Sequence, residues 1–174
     1  MTTTGAVLIG LSVATVFAAA ANPLDPEWPT WHDPLHPMPE WVLKLEHQRN
    51  DRESSFRSLP LRKQIEYTAF RYVDTHPPEI KWRLILVDAR PNRLGIELEA
   101  MIAEEPSDDF VIGLLSILFS AFKEMPHDEM ARVEQVARQR ISAMSRADTR
   151  ETSTHMLETA IQWRREDDEA RSAH

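Results

Sequence analysis

Thirteen consecutive residues without a charge, Phe110 to Phe122, constrain the fold more than any other part of the sequence. At about 1.5 Å per residue, a helix of this length covers roughly 20 Å, which is too short to span a bilayer. A helix that is apolar on nearly every side is typical of the centre of a core. Its only strip of small or polar residues contains Asp109, Gly113, Ser116 and Ser120. Such a strip allows a second helix to approach closely, or it faces a narrow cleft.

The sequence on both sides of this stretch predicts further helices. Apolar residues recur at helical spacing in segments that are separated by Pro60, Pro78, Pro106 and Pro126. The segment from Lys81 to Ala89 has the composition of a buried strand, but a single strand cannot pair its own backbone, so we predict a short buried helix there. With only four glycines in the chain, a fold rich in tight turns is disfavoured. We therefore predict an all-α fold, a compact bundle of about six or seven helices around the central apolar helix.

The sequence also predicts where the first and last of these helices lie. The first begins after Pro39 and runs to about Asp51, because proline is favoured in the first turn of a helix. The last begins near Asp148 or Thr149. The tail from Arg164 to His174 is almost wholly polar, so we expect it to fray.

An uncharged apolar segment, residues 1–21, opens the chain, with its strongest apolar stretch from Ala6 to Ala21. A helix of about 20 residues spans roughly 30 Å, the thickness of a bilayer core. The segment therefore fits a single-pass transmembrane anchor, which is slightly favoured. The small residues before Asn22 fit the cleavage site of a secretory signal peptide, although no Lys or Arg precedes the apolar stretch. A buried or disordered tail is a third alternative. The side of the membrane stays open, because the first basic residue of the chain is Lys44.

A linker rich in proline and tryptophan follows at residues 22–39, with six of the twelve prolines of the chain. Proline lacks an N–H and fixes φ, so we expect this linker to be extended and stiff. Trp28, Trp31 and Trp41 lie within it or just after it. Tryptophan is favoured at membrane interfaces, but aromatic rings also anchor extended segments by burial. We expect these rings to pack on the helical domain at residues 40–174.

Composition excludes several classes of function. The chain contains no cysteine, which removes thiol nucleophiles, disulfides, iron–sulfur clusters and cysteine-based zinc sites. Its net charge of −8 argues against nucleic acid as a partner, because phosphate contacts require clustered Lys and Arg. The sequence contains no glycine-rich phosphate loop. We expect no cofactor and no small-molecule ligand.

The most suggestive group of reactive side chains is His32, Asp33 and His36. Imidazoles four residues apart converge on a helix and bind zinc there, but Pro34 interrupts this spacing, so we expect no metal site. The carboxylates between residues 97 and 105 are expected on the solvent side of their helix. No residue is assigned a catalytic role, because no motif specifies a reaction.

These patterns favour a noncatalytic interaction protein, an accessory or scaffold subunit that is anchored in a membrane through residues 1–21 or exported, and that binds another protein. One alternative is an exported enzyme that combines His32 or His36 with carboxylates of the domain. Another is a soluble cytosolic helical adaptor. The candidate partner-binding residues are Trp28, Trp31, Trp41, Gly113, Ser116 and Ser120.

Overall fold

The computed structural model describes residues 31–48, 50–74, 80–89 and 91–173. The apolar segment at residues 1–21, the linker up to residue 30 and Trp28 lie outside the described residues, and what the sequence predicts for them stays a prediction. Within the described ranges, no helix combines the length and the apolar character that crossing a membrane requires.

Eight α-helices and no strand form the regular structure of the described residues, which confirms the all-α class. The segment with the composition of a strand is helical, as predicted. In chain order the helices are α1 (Glu40–His47), α2 (Arg52–Ser58), α3 (Leu61–Asp74), α4 (Ile80–Ala89), α5 (Pro91–Glu104), α6 (Asp108–Ala121), α7 (His127–Ser142) and α8 (Ala147–Ser172).

The apolar helix α6 packs against α3, α4, α5 and α8, and nine of its residues are buried. Ser107 caps its N-terminus: the hydroxyl oxygen accepts the N–H of Phe110 at 2.9 Å. Asp108 and Asp109 follow in the first turn, where the helix dipole favours negative charge. A capped helix that is apolar beyond its first turn therefore provides the surface on which four other helices pack.

α3 approaches α6 so closely at Gly113 that no side chain fits between the two backbones. A Cβ atom on Gly113 would lie 2.7 Å from the carbonyl oxygen of Ala69. One turn along α6, Ser116 is fully buried, and its hydroxyl donates to the Gly113 carbonyl oxygen at 2.6 Å. The Ser116 carbonyl oxygen accepts from the guanidinium of Arg83 on α4 at 2.9 Å. The strip of small residues thus accommodates neighbouring helices of the same chain.

The region after Pro39 forms two short helices, whereas the sequence predicts one. α1 ends at His47, before the predicted end near Asp51, and α2 brings the described helices to eight instead of about six or seven. α2 has no periodic apolar pattern, because Phe56 is its only large apolar residue. The Phe56 ring is fully buried, with its centroid 5.5 Å from that of Tyr67 and 5.0 Å from that of Trp82. Tertiary packing, rather than local periodicity, stabilises this helix.

A buried group of polar side chains holds α1 and α2 against α3. Glu46 is fully buried and accepts hydrogen bonds from the Tyr67 hydroxyl and, at 2.8 Å, from Arg52. A guanidinium nitrogen of Arg71 lies 3.4 Å from the same carboxylate. Burial and the neighbouring Glu46 charge raise the pKa of Tyr67, so the phenol stays protonated and donates. The cluster compensates the buried carboxylate, which would be costly if unpaired.

The prediction that the tail frays from Arg164 onward is wrong, because α8 continues to Ser172. Arg164 is buried, and its guanidinium donates to the carbonyl oxygens of Lys123 and Met125 at 2.9 and 3.1 Å, beyond the end of α6. Its Nε donates to Asp168 one turn later at 2.9 Å. A polar sequence therefore remains helical because one long side chain satisfies backbone carbonyls at the end of the central helix.

Replacing Leu118 by Ala should lower the free energy of unfolding by about 2–5 kcal/mol, because the side chain is fully buried in α6. The matched control is Leu84→Ala on α4, whose side chain is 58% exposed and whose loss should change stability by less than about 0.5 kcal/mol. Urea unfolding followed by circular dichroism measures both. Equal effects of the two substitutions would contradict the central position of α6.

Replacing Gly113 by Ala should destabilise the protein by about 1–3 kcal/mol, because the new methyl group meets the Ala69 backbone of α3. Alanine favours a helix by about 1 kcal/mol over glycine, so the same change without this contact would stabilise. Ser120→Ala is the control, since Ser120 is only half-buried on the same strip. A rise in stability for Gly113→Ala would show that α3 and α6 do not touch there.

Candidate functional site

Residues 31–39, here called the strap, lie across α3 and the N-terminal end of α6. The Trp31 ring packs edge-on against two buried rings, with its centroid 6.0 Å from that of Phe70 on α3 and 6.0 Å from that of Phe110 on α6. Its Nε1 donates to the carbonyl oxygen of His36 at 2.7 Å, so the strap folds back on itself. The expectation that this tryptophan packs on the domain is confirmed, and Trp41 is likewise half-buried against the core.

The His36 side chain is held by aromatic rings and by two carboxylates. Its ring stacks on Phe110 with centroids 3.7 Å apart and an interplanar angle of 11°, and it meets the edge of Phe70 at 5.2 Å. His36 Nδ1 lies 2.7 Å from Oε2 of Glu105, and Nε2 lies 3.6 Å from Oε1 of Glu66. Each ring nitrogen therefore faces negative charge, an arrangement that suits an imidazolium with two N–H donors.

This environment controls the protonation of His36. Burial lowers the pKa of the imidazole, but the hydrogen bond with Glu105 and the negative charges of Glu105 and Glu66 outweigh this effect and raise the pKa to about 9. The carboxylate of Glu105 is itself oriented, because its second oxygen accepts the backbone N–H of Ser107 at 2.8 Å. His36 is therefore cationic at neutral pH and forms an ion pair with the bundle.

A second polar contact fixes the strap to the cap of α6. The Ser107 hydroxyl donates to one carboxylate oxygen of Asp33, while it accepts the N–H of Phe110. The other oxygen of Asp33 accepts the N–H of Leu35 at 2.8 Å, which closes a tight turn within the strap. The strap is thus anchored at both Asp33 and His36.

An open cleft of about 840 Å³ lies beside the strap, between it and the connections α5–α6 and α7–α8. The charged groups along its wall are paired within the chain. Arg140 donates to Asp108 at 2.7 Å, and Arg146 contacts both oxygens of Asp109 at 2.9 and 3.1 Å. Burial acts to raise the pKa of Asp108, but the hydrogen bonds from Arg140 and Ser145 outweigh it and hold that pKa below its usual range. These ion pairs tie α7 and the start of α8 to the first turn of α6.

The structure places His32 and His36, which the sequence groups together, in different environments. His32 is exposed along the cleft, whereas His36 faces the bundle. Across the described ranges, no group of three or more side chains has the geometry to hold a metal ion. The two histidines therefore do not form a common site in this arrangement.

The other candidate partner-binding residues fall in different environments. Gly113 and Ser116 lie inside the domain against α3 and α4, and Ser120 is half-buried on α6. Trp31 and Trp41 are half-buried at two ends of the strap region. That any of these residues binds a partner stays a prediction.

Sequence reasoning missed Glu66 and Glu105 as site residues. Glu105, expected on the solvent side of its helix, is buried beneath the strap. Helical periodicity fails at this position because α5 ends at Glu104 and the chain turns before α6 begins. The pairing partner is 69 residues away in sequence, so no local pattern identifies it.

No protein-family model matches the chain, and neither a curated protein nor a solved structure matches it. The geometry of the strap and of the cleft beside it is therefore the basis for the function proposed below.

The stabilising effect of His36 should decrease as the pH rises from 6.5 to 9. The folded protein keeps the imidazole protonated up to a pKa of about 9, whereas the ordinary value is 6.5, so the folded state binds more protons between these values. The contribution is complete below pH 6.5 and is lost as the pH rises through 9. The measurement is the difference in unfolding free energy between the wild type and His36→Gln, followed by urea titration across this range.

The exposed His155 on α8 provides the control, because His155→Gln should change the free energy of unfolding by less than about 0.5 kcal/mol. A wild-type advantage over His36→Gln that stayed constant from pH 6.5 to above pH 9 would contradict the ion pair.

Proposed function

We propose that this chain is a noncatalytic helical interaction protein, an accessory or scaffold subunit that is anchored in a membrane or exported. The observation that carries the proposal is the docked strap. Only nine residues separate the end of the apolar segment from Trp31. At about 3.3–3.6 Å per residue, the strap can lie no more than roughly 35 Å from that end. Whatever binds the apolar segment therefore holds the helical domain close to it, on the face that carries the strap.

The chemistry of the strap region supports binding rather than catalysis. A histidine with a pKa of about 9 is protonated at neutral pH and is a poor general base. Its carboxylate partner Glu105 is occupied by His36 and by the N–H of Ser107. Neither His36 nor Glu105 is therefore available to act on a substrate.

The alternative of an exported enzyme draws on the open cleft and on the exposed His32 that lines it. A catalytic site needs convergent groups that are available to a substrate. The nearby charges of Asp108, Asp109, Arg140 and Arg146 are instead engaged with one another or with the backbone. This pairing favours the interaction protein over the enzyme.

The proposal predicts where the full-length chain goes and what happens to its N-terminus. Membrane fractionation and mass spectrometry of the intact protein should find it either in the membrane fraction with Met1 or Thr2 at its start, or processed near Ala21. The soluble cytosolic adaptor predicts an unprocessed chain in the soluble fraction, and that result would overturn the proposal.

A matched substitution sharpens this test. Leu11→Arg places a charge in the middle of the apolar segment, which costs about 2.5–3.5 kcal/mol on insertion scales. The variant should shift toward the soluble, unprocessed form. A chain that begins at Asn22 keeps the strap and should be soluble, helical by circular dichroism and cooperative in melting. Aggregation of this shortened chain would mean that residues 1–21 belong to the core.

A further inference from the structure

We propose that the groove beneath the strap, here called the strap groove and formed by Phe70, Phe110, Glu66 and Glu105, binds a short proline-containing segment of a partner protein that folds as the strap does. In this structure the strap occupies the groove as an internal ligand. The partner segment would carry an aromatic ring and a cationic side chain, as the strap does. This inference rests on the proposed function of an interaction protein and identifies where the interaction occurs.

Most groove residues are buried beneath the strap, whereas the strap itself lies at the surface. The groove residues Phe70 and Phe110 are fully buried, and Glu105 is 8% exposed. Strap residues, by contrast, are half-buried or exposed, and Leu35 at its turn is 61% exposed. The walls of the groove belong to α3, α6 and the connection before α6, and α3 packs directly on α6. Removal of the strap would therefore uncover a groove whose framework persists.

The strap is rich in proline and contains a tight turn. Its nine residues include Pro34, Pro37 and Pro39, and none of the nine is in a helix or strand. Proline fixes φ, so a segment with this composition loses less conformational entropy on docking than a flexible segment does. The groove meets this segment with ring contacts to Trp31 and His36.

The charge of the groove specifies the partner further. Two carboxylates, Glu66 and Glu105, face the single cation of His36, and the distance from Glu66 to His36 Nε2 is 3.6 Å. That distance exceeds an ordinary hydrogen bond. A guanidinium has five N–H donors in a planar fork and stacks on aromatic rings. An arginine in the position of His36 would therefore bind both carboxylates more completely than the imidazolium does.

The tethered strap competes with any partner. A segment on a short linker has an effective concentration on the order of millimolar, so a free segment of equal affinity displaces it poorly. Displacement requires a better cation in the partner or a weakened strap. This competition provides a direct test on the full chain.

The probe is a fluorescent peptide with the sequence of residues 31–39, added to purified full-length protein and followed by fluorescence anisotropy. The His36→Ala protein should bind the peptide at least about tenfold more tightly than the wild type, because its own strap competes less. A peptide with arginine at the position of His36 should bind more tightly than the parent peptide, and one with alanine there should bind at least about tenfold more weakly.

The matched control is the double variant His36→Ala with Glu105→Gln, which should lose the preference for the cationic peptides. Glutamine keeps an oxygen to accept the N–H of Ser107, so the cap of α6 is retained. Circular dichroism and thermal melting establish that each variant is folded. If His36→Ala does not fold, Trp31→Ala weakens the other end of the strap and should give the same gain in peptide binding.

A folded His36→Ala protein that binds the peptide no better than the wild type would overturn the proposal. A wild-type dimer that dissociates on addition of the peptide would also overturn it, since the groove would then hold the strap of a second copy. These results are independent of the membrane test, because the binding is measured on purified protein whatever the location of the chain.

Discussion

The close approach of α3 to α6 at Gly113 determines most of what lies around it. Because no Cβ separates the two backbones there, the neighbouring rings Phe70 and Phe110 come together with centroids 4.7 Å apart. These two rings form the floor on which Trp31 and His36 rest. A wider separation of the helices would spread the rings and leave the strap without its aromatic contacts. A packing constraint inside the core is thus also a constraint on the surface groove.

Sequence predicts those parts of the fold that depend on the order of apolar and charged residues along a short stretch of chain. The uncharged run from Phe110 identifies the central helix, and the absence of a pairing strand identifies α4 as helical. α2 escapes prediction because one buried ring, Phe56, stabilises it through contacts with residues of α3 and α4. The site is missed for a related reason: the sequence singles out His36, but tertiary structure pairs it with Glu105, which is 69 residues away and carries no local signal.

Arg140 and Arg164 donate hydrogen bonds to backbone carbonyls near the two ends of α6, a role that the composition of the chain does not indicate. The arginines of α7 and the connection after it alternate with acidic residues, which is typical of a solvated helix face. Arg140 is nevertheless half-buried and donates to the carbonyl oxygen of Glu105 at 2.9 Å as well as to Asp108. Arg164 acts similarly at the other end of α6. A long guanidinium can satisfy unpaired backbone carbonyls at a distance from its own helix, so helical periodicity alone does not distinguish it from a solvent-exposed charge.

The contact between Arg164 and the end of α6 has a consequence for how the chain is made. Arg164 follows Phe122 by 42 residues, and the carbonyls at the end of the central helix have no such partner until α8 leaves the ribosome. At translation rates of about 5–20 residues per second, this interval lasts roughly two to eight seconds. The end of the central helix therefore gains these hydrogen bonds late in synthesis, only after α8 has been made.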